Sequence, residues 1–543
     1  MWRVLPRVAG ATAVLGGAAF GAITFLFGPD APSRMFTAYS MAIPCFVRYK
    51  SVQLLRDRLP RRLGLPVDDA ALDAEYEALH AEWAPRAMDV VLMLRGFNLK
   101  TGQLVASNFG NVFPKAWQVA FEPLLDAVPH KPFSHVRSTI ERELGRPLET
   151  IFSRFEEAPL AAASIGQVHR ATLAGSGAEV VVKVMYPEVE GQFRGDVYAA
   201  KTFASVALPE HVKPLEEIEK QFANEFDYRR EATQLQLIHD NLRRPFPHIV
   251  VPRPHLPLCT KAVLVMEEVP RAVKLTTALT QDMEFFAEAR GVPVAELVAA
   301  EEALNAEALA RGELRCGPSA EEMARVQRQV GWANWWRRAT GRRPLHVPLN
   351  HAALLDELLR VHGHEVLVDG AFNGDPHPGN LLVTRDAGAG LGGARLALVD
   401  YGQVKVLSHA ERLQVARLMV GLARADERNA AHRAAVAALL RDMGGATQRN
   451  DPDVQYELAR LFFDRDDKLV TRGLNTQAYI EHLNERDPQT QVAQQFVLVA
   501  RCSLMLRGLG HLLNQHRSAA QAWAPIAEKV LREAGEDPET VLR

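Results

Sequence analysis

Two short stretches hold the residues best suited to chemistry. Residues 374–380 read GDPHPGN, and residues 396–402 read LALVDYG, ending in Asp400, Tyr401 and Gly402. Transfer of a phosphoryl group from a nucleotide needs a carboxylate to orient or deprotonate the attacking oxygen, and oxygen ligands to hold Mg2+ against the phosphates. Asp375 suits the first task; Asn380 and Asp400 suit the second. The phosphates also need a cation, and VVVKV supplies Lys183 in the middle of a strand-like segment. Each feature alone is commonplace: an Asp-Pro in a loop is usually a turn, D-x-G arises by chance, and a strand lysine is usually a solvated edge residue.

Order and spacing decide between these readings. Asn380 stands five residues after Asp375, and Asp400 follows Asp375 by 25 residues. A kinase catalytic loop has the same five-residue step, its D-x-G metal motif follows a short strand, and its phosphate lysine lies on the strand after a hairpin. The elements that would position these groups are legible. Residues 29 to about 145 carry apolar positions at three- and four-residue spacing and predict helices. SIGQVHRATL and AEVVVKVMY, separated by AGSG, predict a β-hairpin. A helix over 214–241 and a strand pair at HIVVPRPHL and KAVLVMEEV follow. Beyond Val269 the pattern is helical, interrupted by the short strands LLVTRD and ARLALVDYG. The expected fold is α+β: a bilobal, protein-kinase-like arrangement of a small antiparallel sheet lobe and an α-rich lobe, with a helical N-terminal extension.

Two features separate this chain from an ordinary protein kinase. The loop that should cover the phosphates reads AAASIGQVH over 161–169 in place of G-x-G-x-x-G, and alanine side chains limit how closely backbone amides approach a phosphate. The chain also runs from DYGQVKVLS straight into the helical pattern HAERLQVARLMVGLARA, with no A-P-E and no long activation segment to hold a peptide.

With these motifs in place, the sequence resembles the UbiB family of atypical kinase-like proteins, also called aarF-domain-containing kinases, from about residue 95 to at least 410. K-x-G-Q is Lys100, Thr101, Gly102 and Gln103; the alanine-rich loop is Ala161, Ala162, Ala163 and Ser164; E-x-D is Glu225, Phe226 and Asp227; DPHPGN and DYG complete the set. The resemblance implies that Lys183 binds the α- and β-phosphates and that Glu225, on an αC-like helix, pairs with it. It also implies that Ala161–Ser164 and Glu267 of the hinge EEVPRAVKL bound the nucleotide. Lys100, Gln103 and Asp227 would form a regulatory arrangement in which the extension folds over the site. ATP or ADP with Mg2+ are the implied cofactors. Membrane lipid and proteins of a quinone or lipid biosynthesis complex are the implied partners, and slow ATPase activity in support of prenyl-lipid metabolism is the implied role. Asn373 stands where many members have histidine, and the hinge lacks the usual glycine.

The domain boundaries that follow are a targeting or transmembrane-like segment at 1–28, a helical extension at 29–148, a sheet lobe at 149–269 and a helical lobe at 270–543. An insertion of about 275–350 lies in the last of these. Within it, Trp332, Trp335, Trp336, Arg337, Arg338, Arg342 and Arg343 crowd into twelve residues. Two readings stand: a surface that meets an anionic membrane, or a helix packing its tryptophans against the lobe.

Composition sets the outer limits. With 63 Lys+Arg against 65 Asp+Glu the formal charge is −2, so no global field points to nucleic acid. Cys45, Cys259, Cys316 and Cys502 lie far apart, which argues against a disulfide framework or a structural zinc site. From Val8 to Gly28 no residue is charged, while Arg3 and Arg7 precede the run. A membrane anchor, a cleaved secretory signal and an organelle-targeting segment all fit. A mitochondrial membrane is the first expectation for location and a plastid membrane the second. Two rivals to a membrane-associated atypical kinase/ATPase remain: a small-molecule phosphotransferase of the aminoglycoside or choline kinase type, and a catalytically silent nucleotide-binding scaffold.

Overall fold

The computed structural model describes residue 21 and residues 23–107, 113–125, 130–163, 165–209, 212–384, 394–492 and 494–542. The chain forms two compact units, residues 1–229 with 255–266, and residues 230–254 with 267–543. Most of the uncharged run at 8–28 lies outside the described residues. Among the described residues no helix is long and apolar enough to cross a membrane, so the transmembrane expectation gains no support. The four cysteines are all free thiols.

The first unit opens with helices. α1 (Ala31–Val52) and α2 (Asp69–Leu94) come first, and α2 starts where the Asp68 side chain accepts the Ala71 N–H. The long helical run then breaks at Arg95 and Gly96, both with positive φ, and restarts as α3 (Phe97–Ser107), which carries Lys100 to Gln103. Leu99, Val105 and Ala106 of α3 pack with Ala87 of α2, with Phe121 of α4 (Lys115–Phe121), and with Leu124 in the turn that follows.

After α5 (Phe133–Leu144) the same unit builds a five-stranded antiparallel sheet. Its strands are β1 (Phe152–Phe155), β2 (Ala161–Ala162), β3 (Gly166–Leu173), β4 (Glu179–Met185) and β5 (Val263–Glu267), ordered β1-β3-β4-β5 with β2 on β3. The hairpin expected at AGSG joins β3 to β4, with Gly177 in the left-handed region its turn requires. Val180, Val182 and Val184 point into the core with Val136, Ile140, Val263 and Val265. The two-residue period of a strand therefore turns Lys183 to the opposite face. Between β4 and β5 lie α6 (Val189–Ala207), beyond the single helix expected at 214–241, then α7 (Val212–Ala223) and α8 (Tyr228–Leu242).

HIVVPRPHL forms no strand, contrary to expectation. It contributes only bridges, a parallel one from Val250 to Ala397 and another at Pro254, where the Arg253 carbonyl accepts the Glu267 N–H at 3.0 Å and the His255 N–H donates to the Val265 carbonyl at 2.8 Å; Pro252 and Pro254 lack the N–H groups that a longer ladder needs.

In the second unit β6 (Ala272–Lys274), β8 (Leu381–Thr384) and β9 (Arg395–Leu398) form a three-stranded antiparallel sheet. A separate ribbon pairs β7 (Ala371–Asn373) with β10 (Val404–Val406). The expected insertion region is helical: α9 (Leu275–Arg290), α10 (Val294–Ala310) and α11 (Ala320–Ala339) precede α12 (His351–His364). Two residues after β10, Ser408 opens α13 (His409–Arg424) with a reciprocal cap: its hydroxyl accepts the Glu411 N–H while the Glu411 carboxylate accepts the Ser408 N–H. The passage from DYG into a helix is thus short, as expected, with only β10 and its flanking residues between them. Helices at 430–442, 452–463 and 476–486, then α14 (Val497–Leu512) and α15 (Ala519–Glu533), complete the unit, with α15 packed on α13.

Candidate active site

In the second unit the β7–β10 ribbon and the β8–β9 hairpin bring the two chemical motifs together. Asn373, the last residue of β7, joins them: its Nδ2 donates to the Asp400 carbonyl at 2.8 Å and its Oδ1 accepts the Asp375 N–H at 2.9 Å. Asparagine suits this position, because one carboxamide both donates and accepts. The Gly374 N–H donates to the Gln403 carbonyl at 2.9 Å, and the Val399 N–H to the Asn380 carbonyl. GDPHPGN itself is a tight series of turns. The His377 N–H donates to the Asp375 carbonyl, the Asn380 N–H to the His377 carbonyl, and the His377 imidazole accepts the Gly379 N–H at 3.0 Å. One Asp400 carboxylate oxygen accepts the Gly402 N–H at 3.0 Å.

Three residues absent from the sequence reading support this loop system. Arg501 on α14 places a guanidinium nitrogen 3.1 Å from Oδ1 of Asp375. That oxygen is buried, so the cation faces it as a charge partner rather than through a directed hydrogen bond. Burial holds His377 below the ordinary imidazole range; Asp375 opposes the shift and Arg501 adds to it. Tyr401, the middle of DYG, is fully buried and donates its hydroxyl to Glu365 at 3.2 Å. Burial pushes the Glu365 carboxyl up to about 8, against the opposing hydrogen bond from Tyr401. Glu365 also faces His362 at 4.0 Å. That separation could suggest an ion pair, but both groups are fully buried, and burial lowers His362 to about 4. Its Nδ1 donates to the Leu358 carbonyl at 2.9 Å, and at 4.0 Å its Nε2 stands beyond hydrogen-bond reach of Glu365.

The third residue is Glu231, a buried carboxylate on α8 with an oxygen 4.0 Å from where a Cβ on Gly402 would sit. A sequence signal for it existed. Glu231 shares a helical face with the buried Leu235, Ile238 and Leu242, and an acid on an apolar stripe is uncommon unless it has a partner.

In the first unit Lys183 Nζ stands 5.0 Å from the centroid of the Tyr228 ring, a cation–π geometry. Gly166, across the hairpin, has no room for a side chain, since a Cβ would strike the Val184 carbonyl and meet the Tyr228 hydroxyl at 3.0 Å. Lys100 donates to both carboxylate oxygens of Glu225, to Oε2 at 2.6 Å, and lies 4.3 Å from the Phe222 ring centroid. Glu225 was expected on an αC-like helix. It sits instead on the one-turn 3-10 segment Asn224–Phe226 between α7 and α8, within reach of α3. Gln103 donates to the Leu124 carbonyl at 2.9 Å. Asp227, expected to join Lys100 and Gln103, instead takes a two-pronged contact from Arg229 at 2.8 and 2.6 Å. Two residues of separation make that local pair geometrically easy.

Ala161 and Ala162 pair with Val168 and Gln167 as β2, and the Ala163 N–H donates to the Gly166 carbonyl at 2.7 Å. The alanine loop is therefore the start of a hairpin, and the Ala163 amide serves that hairpin. Ser164 lies outside the described residues. Gln167 and His169, which follow this loop on β3, are buried: Gln167 bonds both backbone groups of Lys131 and the Tyr186 hydroxyl, and His169 bonds the Glu156 carbonyl. Glu267, at the end of β5, exchanges two hydrogen bonds with the backbone of Arg253, through its N–H and through its carboxylate.

The donor chemistry fits Mg2+. Asn380 and Asp400 offer hard oxygen ligands, and the Asn380 side chain makes no hydrogen bond among the described residues. No cluster of three or more His, Cys, Asp or Glu suited to a metal occurs among the described residues.

The order of hairpin lysine, D-x-x-x-x-N loop and D-x-G, with the sheets and helices that carry them, defines a kinase-like α+β protein. Comparison with known sequences narrows this. The sequence profile of the ABC1 atypical kinase-like domain matches residues 123–298 and 346–434. The chain is 23% identical over 484 residues to AarF domain-containing protein kinase 1 of Gallus gallus, covering 86% of this chain and 77% of that one. It is 26% identical over 494 residues to probable protein kinase UbiB of Pseudomonas paraeruginosa, with the same two shares of 86% and 77%. Over a shorter stretch of 189 residues it is 35% identical to atypical kinase COQ8B, mitochondrial, of Rattus norvegicus, 34% of this chain and 35% of that one. The chain belongs to the UbiB, or aarF-domain, family of atypical kinase-like proteins.

Proposed function

We propose that the chain is a Mg-nucleotide-dependent atypical kinase/ATPase that works at an organelle membrane in support of quinone, prenyl-lipid or lipid homeostasis. The observation that supports the chemistry is the single hydrogen-bonded loop system of the second unit, in which Asn373 ties Asp375 to Asp400 and Asn380 is tied to Val399. In this reading Asp375 orients or deprotonates the attacking oxygen, with Arg501 fixing its carboxylate. Asn380 and Asp400 hold Mg2+, Lys183 takes the α- and β-phosphates of ATP or ADP, and Ala161–Ser164 with Glu267 bound the nucleotide. The bound cation supplies neutralisation of charge on the phosphate oxygens. Lys100, Gln103 and Glu225 hold the extension in place as a regulatory element.

The cellular setting rests on kinship. A mitochondrial relative, COQ8B, supports an organelle address, with the mitochondrial membrane first and a plastid second. Membrane lipid and proteins of a lipid-synthesising complex are the partners this setting suggests. Thermal unfolding and phosphate release of wild type and Asp400→Asn, with and without Mg-ATP or Mg-ADP, test the chemistry. Saturation at about 100 times the dissociation constant stabilises a binding-competent chain by about 2.7 kcal/mol, and Asp400→Asn should lose most of that and all turnover. An unfolding midpoint in wild type that ignores nucleotide would refute the reading.

A further inference from the structure

The expectation that the three insertion tryptophans pack against the lobe fails. Trp332, Trp335 and Trp336 are 73%, 64% and 62% exposed on α11, and Trp332 and Trp335 stand edge to face with centroids 6.4 Å apart. From these rings and the arginines around them we infer that the outer face of α11 and the turn after it form a docking surface for an anionic lipid bilayer.

The orientation of the helix is fixed from its inner side. Met323, Gln327, Val330 and Asn334 are buried one above another. Gln327 Nε2 donates to the Pro348 carbonyl at 2.9 Å, Asn334 exchanges two hydrogen bonds with the backbone of Leu345, and Asn350 Nδ2 donates to the Ala320 carbonyl at 2.8 Å. Rolling α11 to hide its tryptophans would bury none of these carboxamides with their partners, and an unpaired buried amide costs about 1–3 kcal/mol. The rings therefore stay in contact with whatever lies outside.

Charge identifies the occupant. From Met323 to Arg343 there are six arginines, at 325, 328, 337, 338, 342 and 343, and no acidic residue. None of the six forms an ion pair among the described residues. Gly341 turns the chain with φ +69, and Arg337 Nε donates to the Arg343 carbonyl at 2.7 Å, so Arg342 and Arg343 fold back beside Arg337 and Arg338. Indole rings favour the bilayer interface, and guanidinium forks match lipid phosphates while their stems lie along apolar surface. A second copy would set six cations against six. For a nucleic acid, perpendicular rings at this spacing offer no series of parallel stacking platforms. The profile shared with relatives skips residues 299–345, so this surface is independent of the nucleotide reading.

The test uses the full chain in co-sedimentation with vesicles of phosphatidylcholine alone or with about one third phosphatidylglycerol. It compares wild type with Trp332→Ala/Trp335→Ala/Trp336→Ala and with Arg337→Glu/Arg338→Glu/Arg342→Glu/Arg343→Glu. Wild type should prefer the anionic vesicles, with preference falling as salt rises. Each variant should bind them about tenfold or more weakly, and quenching of tryptophan fluorescence by brominated lipid should fall in the tryptophan variant. Unfolding midpoints and nucleotide-dependent stabilisation should match wild type. If the tryptophan variant does not fold, the arginine variant reads the same surface. Wild-type vesicle binding in a folded variant overturns the proposal. So does loss of self-association, or of binding to a single-stranded oligonucleotide, while vesicle binding persists.

Discussion

Replacing Glu365 by Gln should stabilise the protein, and by an amount that depends on pH. Glu365 is fully buried beneath the DYG tyrosine, and its carboxyl is raised to about 8. In the unfolded chain it ionises near the ordinary value of 4.5. Between these values the folded chain holds a proton that the unfolded chain has lost, so stability falls as pH rises, by about 1.4 kcal/mol per pH unit. From pH about 5 to about 8 the loss is about 4 kcal/mol. The carboxamide of Glu365→Gln would keep an oxygen for the Tyr401 hydroxyl, yet never ionise. Thermal unfolding of both proteins should coincide near pH 5, and the variant should unfold several degrees higher near pH 8. His362 works in the other direction: lowered to about 4, it adds stability above its unfolded value of about 6.5 that is lost as pH falls toward 4. It is present in both proteins and cancels in the difference. A gap between the two that is independent of pH, or a wild type more stable at pH 8, would refute the neutral-carboxyl account.

Gly102→Ala should destabilise the first unit even though alanine is the better helix former by about 1 kcal/mol. Its Cβ would fall 2.5 Å from Leu124 and 2.9 Å from Phe121, and such overpacking costs about 1–3 kcal/mol; a raised midpoint in thermal unfolding would contradict this. Arg501→Gln should cut phosphate release by about tenfold to a hundredfold through misplacement of Asp375, with nucleotide affinity unchanged; a loss confined to affinity would show that Arg501 acts elsewhere. Asp282→Asn should cost about 2–3 kcal/mol at neutral pH. Burial pushes the Asp282 carboxyl up, but hydrogen bonds from His346, His351 and the Leu349 N–H outweigh it and hold the group to about 2. That stability is complete above the unfolded value of 3.8 and is lost as pH falls toward 2, so chemical denaturation should separate the two proteins at pH 7 and converge in strong acid.

What could be read from the sequence was local. GDPHPGN, DYG and the Lys183 hairpin announce themselves through spacing of a few residues, and the fold places each on the expected kind of element. HIVVPRPHL misled because β-branched residues suggested a strand while two prolines removed its donors. Glu225 misled because E-x-D sits between two helices, on a single tight turn, where periodicity carries no information. Arg501 and Glu365 lie far along the chain from the groups they serve, and no pattern within a window of a few residues ties Arg501 to Asp375. The tryptophans of α11 leave two readings open for a different reason. The inner face of that helix holds Gln327 and Asn334 as well as Met323 and Val330, so apolar and polar residues occur on both sides and the pattern alone does not choose between them.

The Asp282 clamp bears on how this lobe could change over time. Its carboxylate grips His346 and His351 at 2.6 and 3.0 Å, and the Leu349 N–H at 2.8 Å, at the point where the chain returns from α11. With the return anchored by its own fastening, the turn at 340–344 that follows α11 can lengthen at little entropic expense, since each doubling of a flexible loop costs only about 0.6 kcal/mol. Such an architecture works like a socket: the address displayed on the outer face of α11 can be exchanged, and a graft that keeps Asp282, His346 and His351 would be the natural way to give the same lobe a different destination.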